Sequence, residues 1–81
     1  MTREEVLAVV LKNLKDVIPD LNPAELDLNK NYSDYDINSL DLVQIITATM
    51  RELQVKIPIN ELANVKCTNA LVDTLHKVIN A

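Results

Sequence analysis

The chain has 81 residues, with twelve acidic and eight basic side chains for a formal charge of −4, which excludes the basic stripe of a nucleic-acid binder and suits docking onto basic patches of protein partners. It is 48% hydrophobic yet has no Phe, Trp or Gly, so a small aliphatic core is expected, and Asn, Asp and Pro must make the turns. One cysteine, Cys67, excludes an internal disulfide, and one histidine, His76, leaves no His/Cys cluster for a metal.

Length and composition predict one domain over residues 1–81, burying about 60% of the surface its unfolded chain exposes. Arg3, Glu4, Glu5 and Lys12 interrupt the first segment, and its apolar run from Val6 to Leu11 is too short for a signal core or a membrane span. A soluble protein of a reducing, cytoplasmic compartment is the expectation.

Thr2-Arg3-Glu4-Glu5 reads as a capping box opening a first helix. Leu7, Val10, Leu11, Leu14 and Ile18 follow at spacings of three and four, and Pro19 stops the pattern. Residues 19–38 form a long connection. Asn22-Pro23 suits a short helical turn with proline first, and Leu26, Leu28, Tyr32 and Tyr35 are apolar points that can pin the loop to the core.

Asn38-Ser39-Leu40-Asp41 is the most informative stretch. Asn38 is a strong N-cap, and Asp41 three residues on suits the positive end of a helix. The helix is predicted from Ser39 to about Leu53, with the Ser39 hydroxyl on the rim of its first turn. Leu42, Ile45, Ile46, Thr49 and Leu53 make a core face, while Leu40, Val43, Thr47 and Met50 gather on the other side. A helix apolar on two sides is either sandwiched or offers one face to a partner. Val55-Lys56-Ile57-Pro58 ends it, a short helix is expected from Ile59 to Val65 with Asn60 as its cap, and Thr68 or Asn69 opens a last helix. There Leu71, Val72, Leu75, Val78 and Ile79 make the core stripe. No strand pairing is predicted, and Leu11, Ile46 and Leu75 are expected to be buried on three different helices.

The residue set is poor in catalytic chemistry. His76, the only imidazole, falls on the polar side of the last helix, and a serine nucleophile needs a base within hydrogen-bond reach. Asp34 and Asp36 read as turn formers in a loop without an apolar setting to raise a carboxylate pKa. Cys67 reads as a small buried hydrophobe, and without glycine there is no phosphate-cradling loop. Ser39 taken alone is part of a helix start. It gains meaning only from the surrounding order of helix, long loop, serine-headed helix, Ile-Pro and last helix.

That frame resembles an acyl carrier protein over essentially the whole chain. Tyr35-Asp36-Ile37-Asn38-Ser39-Leu40-Asp41 stands where the family has Leu-Gly-x-Asp-Ser-Leu-Asp/Glu, and Ile57-Pro58 matches its Ile-Pro after the second helix. The resemblance implies an all-α four-helix bundle with a long first loop and a short third helix. It implies 4'-phosphopantetheine on the Ser39 hydroxyl, whose thiol carries acyl groups as thioesters, and a carrier with no catalytic residue of its own. The implied partners are a phosphopantetheinyl transferase and an acyltransferase, ketosynthase or HMG-CoA-synthase-like enzyme. These would dock on Asp34, Asp36, Leu40, Asp41, Val43, Thr47 and Met50 of a monomer. The sequence departs from the pattern at Asp36, where the family has glycine, and at Asn38, where it has aspartate. Gln44, Met50 and Arg51 also occupy positions that are frequently acidic, leaving Asp41 and Glu52.

Glu61-Leu62-Ala63-Asn64-Val65-Lys66, with the Asn-Ser pair, is similar to free-standing carriers of polyketide β-branching cassettes, which hold acetyl or malonyl groups. A fatty-acid synthesis carrier is the alternative within the family. A plain helical interaction module docking through its second helix is the alternative outside it.

Overall fold

The computed structural model describes residues 1–58, 61 and 65–80. Thr2 caps helix α1 (Arg3–Val17) as the sequence predicts: its Oγ1 accepts from the Glu5 amide at 3.2 Å, and Glu5 Oε1 accepts from the Thr2 amide at 3.0 Å. These bonds to Thr2 hold the Glu5 carboxyl below its ordinary pKa of 4.5. Helix α2 (Ser39–Leu53) and helix α3 (Thr68–Ile79) follow, α3 starting at one of the two residues the sequence allows. The described residues form three α-helices and two short 3-10 turns, with no strand. None of these helices is long and apolar enough to cross a membrane. The short helix expected over residues 59–65, with its Asn60 cap, lies mostly outside the described residues.

Two apolar clusters hold the chain together. The first lies among the three helices and joins Val6 and Val10 of α1, Ile46 of α2, and Leu71, Val72 and Leu75 of α3, with Ile57 and Val65 from the connection. The second joins Leu14 and Ile45 to Leu26, Tyr32 and Ile37, all three from the long connection. Ile45 and Ile46 are neighbours in sequence and face different clusters, so α2 is the wall between them.

The face of α1 differs from the expected one. Leu11 is half-buried rather than buried, whereas Val6 and Asn13 are buried with Val10 and Leu14. The reason is that α1 packs on two helices at once, so its covered stripe is wide and its centre is displaced from Leu11, which is covered from the loop side. Asn13 is accommodated by α2: its Nδ2 donates to Thr49 Oγ1 at 3.1 Å, and that hydroxyl donates to the Ile45 carbonyl at 2.8 Å. A buried amide is tolerated because it is paired.

The connection is tied down more firmly than its apolar points suggest. Pro23–Glu25 is a 3-10 turn with Asn22 Oδ1 accepting from the Ala24 amide at 3.1 Å. The described residues form no strand, as expected, but an isolated antiparallel bridge joins Asn31 to Cys67, with the Tyr32 amide donating to the Lys66 carbonyl at 2.8 Å. The Asn69 amide donates to the Leu28 carbonyl at 2.9 Å beside it. Cys67 is therefore a half-exposed cap residue of α3 and not the buried hydrophobe the sequence suggests; the backbone pairing, rather than its side chain, is what the position supplies. His76, expected to be solvated, is half-buried in the last turn of α3.

Candidate functional site

A 3-10 turn, Tyr32–Tyr35, leads into α2 and ends at Asp36, which is left-handed with φ 60° and ψ 25°. The Asp36 amide donates to the Ser33 carbonyl and the Ile37 amide to the Tyr32 carbonyl, both at 3.2 Å. This tight turn explains the departure noted in the sequence. The place where the resembling family carries glycine does need positive φ, and Asp is among the side chains that tolerate it.

Ile37 then anchors the chain in the loop cluster, 7% exposed. Asn38 caps α2, its Oδ1 accepting from the Asp41 amide at 2.8 Å. Ser39 is thereby the first residue of α2, with its side chain exposed. A buried residue two positions before it and the cap at Asn38 fix the position of Ser39 without covering it.

Beside Ser39 opens a groove of about 530 Å³. Ile37, Leu42, Val43, Ile46 and Val65 give it apolar walls, and Asn31, Ser33, Asn38 and Lys66 stand among its polar lining residues. Val65 and Lys66 are brought there by the Tyr32–Lys66 hydrogen bond from more than twenty residues away, and no local sequence signal points to them. Tyr32 belongs to the same wall and is 3% exposed. Its hydroxyl accepts from Thr68 Oγ1 at 2.9 Å, and burial pushes its pKa up to about 12, the bond to Thr68 opposing that shift. Among the described residues the lining offers Ser39 no imidazole and no carboxylate. Among the described residues no cluster of His, Cys, Asp or Glu could hold a metal ion.

The other residues singled out in the sequence divide. Leu40 and Val43 are the large apolar side chains α2 leaves in water, 67% and 58% exposed. Thr47, Asp34 and Asp36 are also exposed, and Asp41 is half-buried. Met50 is half-buried against the helical core, so it does not belong wholly to the outer face on which the periodicity puts it. It lines a second, smaller pocket with Thr47, Arg51, Gln54, Val55 and Lys56.

A family model described as a phosphopantetheine attachment site matches residues 5–75. A protein of Bacillus subtilis named polyketide biosynthesis acyl-carrier-protein AcpK is 26% identical over 81 residues, covering 100% of this chain and 99% of the relative. A Rhodococcus erythropolis protein named acyl carrier protein is 30% identical over 78 residues, covering 95% and 85%. A Mycobacterium leprae protein named meromycolate extension acyl carrier protein is 30% identical over 79 residues, covering 96% and 68%.

Proposed function

The chain belongs to the acyl carrier protein family, and from that premise we propose that Ser39 is the residue that takes the family's phosphopantetheine. Proteins of this family are carriers rather than enzymes, and phosphopantetheine is their prosthetic group. The observation that carries the assignment is the exposed Ser39 hydroxyl on the capped first turn of α2, at the edge of an apolar groove. The attached group supplies a terminal thiol that holds acyl chains as thioesters. The protein's own residues do the rest. Asn38 and Ile37 fix the serine in place, and the missing base leaves activation of its hydroxyl to the modifying transferase. Leu42, Val43, Ile46 and Val65 offer apolar cover to a chain attached there, with Lys66 alongside them.

Mass spectrometry tests this directly. With coenzyme A and a broad-specificity phosphopantetheinyl transferase, the wild-type protein gains one phosphopantetheine. Ser39→Ala gains none while keeping its helical circular dichroism. An unmodified wild type, or a modified Ser39→Ala, overturns the assignment.

Within the family, the reading favoured is a free-standing carrier of polyketide assembly, serving a β-branching step with acetyl or malonyl as its cargo. It is supported by the AcpK relative, which matches end to end, and by the Glu61–Lys66 segment. A fatty-acid carrier remains the second reading, favoured by the higher identity of the Rhodococcus relative. One carrier domain over residues 1–81, monomeric, cytoplasmic and completed by a short helix over 59–65 into a four-helix bundle, is the form proposed. Its partners are the transferase together with acyltransferases, ketosynthases or HMG-CoA-synthase-like enzymes.

Docking is proposed to run through Leu40, Val43 and Thr47 with Met50 at one side, while Asp34, Asp36 and Asp41 steer a basic patch toward Ser39. Buried apolar anchors set affinity, and rim charges chiefly tune association rate. Val43→Asp should therefore weaken a cognate complex by about 1–2 kcal/mol with little change in folding stability, as read by binding kinetics and a thermal melt. Normal binding by Val43→Asp, with binding abolished by salt, would instead indicate an acid-dominated mode.

A further inference from the structure

The far end of α2 carries the opposite charge from the Ser39 end, and nothing in the carrier function requires that. Arg51 and Lys56 are both exposed and line one pocket of about 360 Å³. Met50, Val55 and the Thr47 side chain complete it with Gln54, whose left-handed φ of 57° turns the chain out of the helix. Neither cation is in an ion pair among the described residues, where the two pairs are Arg3 with Asp73 and Lys12 with Glu52. Glu52 is the nearest acid on α2, and it is held by Lys12 of α1 at 2.6 Å, on the side of the helix that faces α1. The outer side thus runs from Asp34, Asp36 and Asp41 around the start of α2, through the exposed apolar Leu40 and Val43, to Arg51 and Lys56 at its far end. The negative end of the helix dipole accounts for Arg51 in the last turn. It does not account for Lys56, which lies beyond the helix, or for the apolar pocket between the two cations.

We propose that the enzymes this carrier serves meet it with a two-signed surface: cations over Asp34, Asp36 and Asp41, and one or more carboxylates over Arg51 and Lys56, beside an apolar side chain seated against Met50 and Val55. This rests on the carrier reading and names the chemistry of its partners. The two ends lie about 18 Å apart, twelve helical residues from Ser39 to Arg51. A partner that is basic along the whole contact is repelled at Arg51 and Lys56, so the pattern rejects such enzymes and also fixes the direction of α2 across the partner's face. With the direction fixed, Ser39 comes to lie at the end where the active-site entrance must be.

The test uses the full chain, modified at Ser39, and a ketosynthase that accepts its acyl group. In Arg51→Glu/Lys56→Glu the KM for the loaded carrier should rise about tenfold or more at low ionic strength, with kcat changing by less than about twofold. Added salt should shrink the difference. Changing the facing ketosynthase carboxylate to Lys should restore a low KM to the double variant and raise that of the wild type. An unchanged or lowered KM in the double variant overturns the proposal, as does failure of every surface carboxylate of the ketosynthase to show the reciprocal effect. Both side chains are exposed, so circular dichroism should stay as in wild type, while the melting temperature should fall by no more than about a few degrees, because Arg51→Glu sets a negative charge at the negative end of the α2 dipole. Modification of every variant by a broad-specificity transferase keeps the outcomes separate. Loss of modification in the wild type speaks against Ser39, whereas full modification with an unchanged KM speaks only against the two-signed surface.

Discussion

The helical core and the loop core solve the same problem by different means. Among the helices, cohesion comes chiefly from burial: Val6, Val10, Leu71, Val72 and Leu75 are fully buried aliphatics, and polar ties such as Asn13 to Thr49, Arg3 to Asp73 and Lys12 to Glu52 lie beside that core rather than in it. Under the connection, Leu26, Tyr32 and Ile37 are buried, and Leu21, Leu28 and Tyr35 pack half-buried against them. The rest is done by polar contacts, among them Tyr32 to Lys66, Asn69 to Leu28, Thr68 to Tyr32, and the Asp27 amide to the Tyr35 hydroxyl at 2.8 Å. A segment without regular structure cannot satisfy its own amides and carbonyls, so it uses the Lys66 carbonyl and its own Tyr35 hydroxyl as acceptors, and its Leu28 carbonyl takes the Asn69 amide of α3 as a donor. Ser39 stands at the junction, on a helix rooted in the first core and led in by a turn rooted in the second.

Deleting apolar volume should cost more in the helical core than under the connection. Leu75→Ala should cost on the order of 2–5 kcal/mol and threaten a domain of this size, whereas Leu26→Ala, at the 8% exposed margin of the loop core, should cost about 1–2 kcal/mol. Urea midpoints measure both. Equal losses would mean that the loop core is as cooperative as the helical one.

Tyr32→Phe sharpens the polar side of the contrast. It leaves the buried Thr68 hydroxyl without its acceptor, for an expected loss of about 1–2 kcal/mol, while the apolar packing is kept. The same residue gives a pH signature. Its folded pKa, pushed up to about 12 from an ordinary 10.0, means that the neutral phenol is the form the fold favours. Its contribution is therefore complete below about pH 10 and is lost as pH rises through about 12, so alkaline titration should destabilise the wild type more than Tyr32→Phe. Parallel alkaline stability curves for the two would contradict the buried setting of this phenol.

The smallest effects should come from the two left-handed residues. Gln54→Gly, at the end of α2, should stabilise by up to about 1 kcal/mol, because a glutamine has no local means of easing positive φ. Asp36→Gly should gain only a few tenths, since aspartate tolerates that conformation and glycine adds entropy to the unfolded chain. Thermal melts of the two variants decide the order, and a larger gain at Asp36 would reverse it.

Much of this was legible because it depends on local chemistry. The Thr2-Glu5 and Asn38-Asp41 caps, the extents of α1 and α2, the proline turn at Pro23 and the exposure of Ser39, Leu40 and Val43 follow from residues within one helical turn of each other. A cap needs only its own amides, and an apolar period needs only one axis. The family match over residues 5–75 likewise agrees with the resemblance carried by the residues around Ser39 and Ile57-Pro58.

What the sequence could not decide were matters of relative placement. Periodicity located a stripe on α1 but could not say that two neighbouring helices would widen it, bury Asn13 against Thr49 and leave Leu11 partly open. It could not bring Val65 and Lys66 to the groove beside Ser39, because that pairing joins Asn31 to Cys67 across the long connection through backbone groups that every residue carries. By itself the sequence determined a capped helix headed by an exposed serine, since that needs only short-range hydrogen bonds. Only the tertiary structure decided what surrounds that serine, because backbone pairing between distant segments and the sharing of one helix between two cores leave no mark in local residue type.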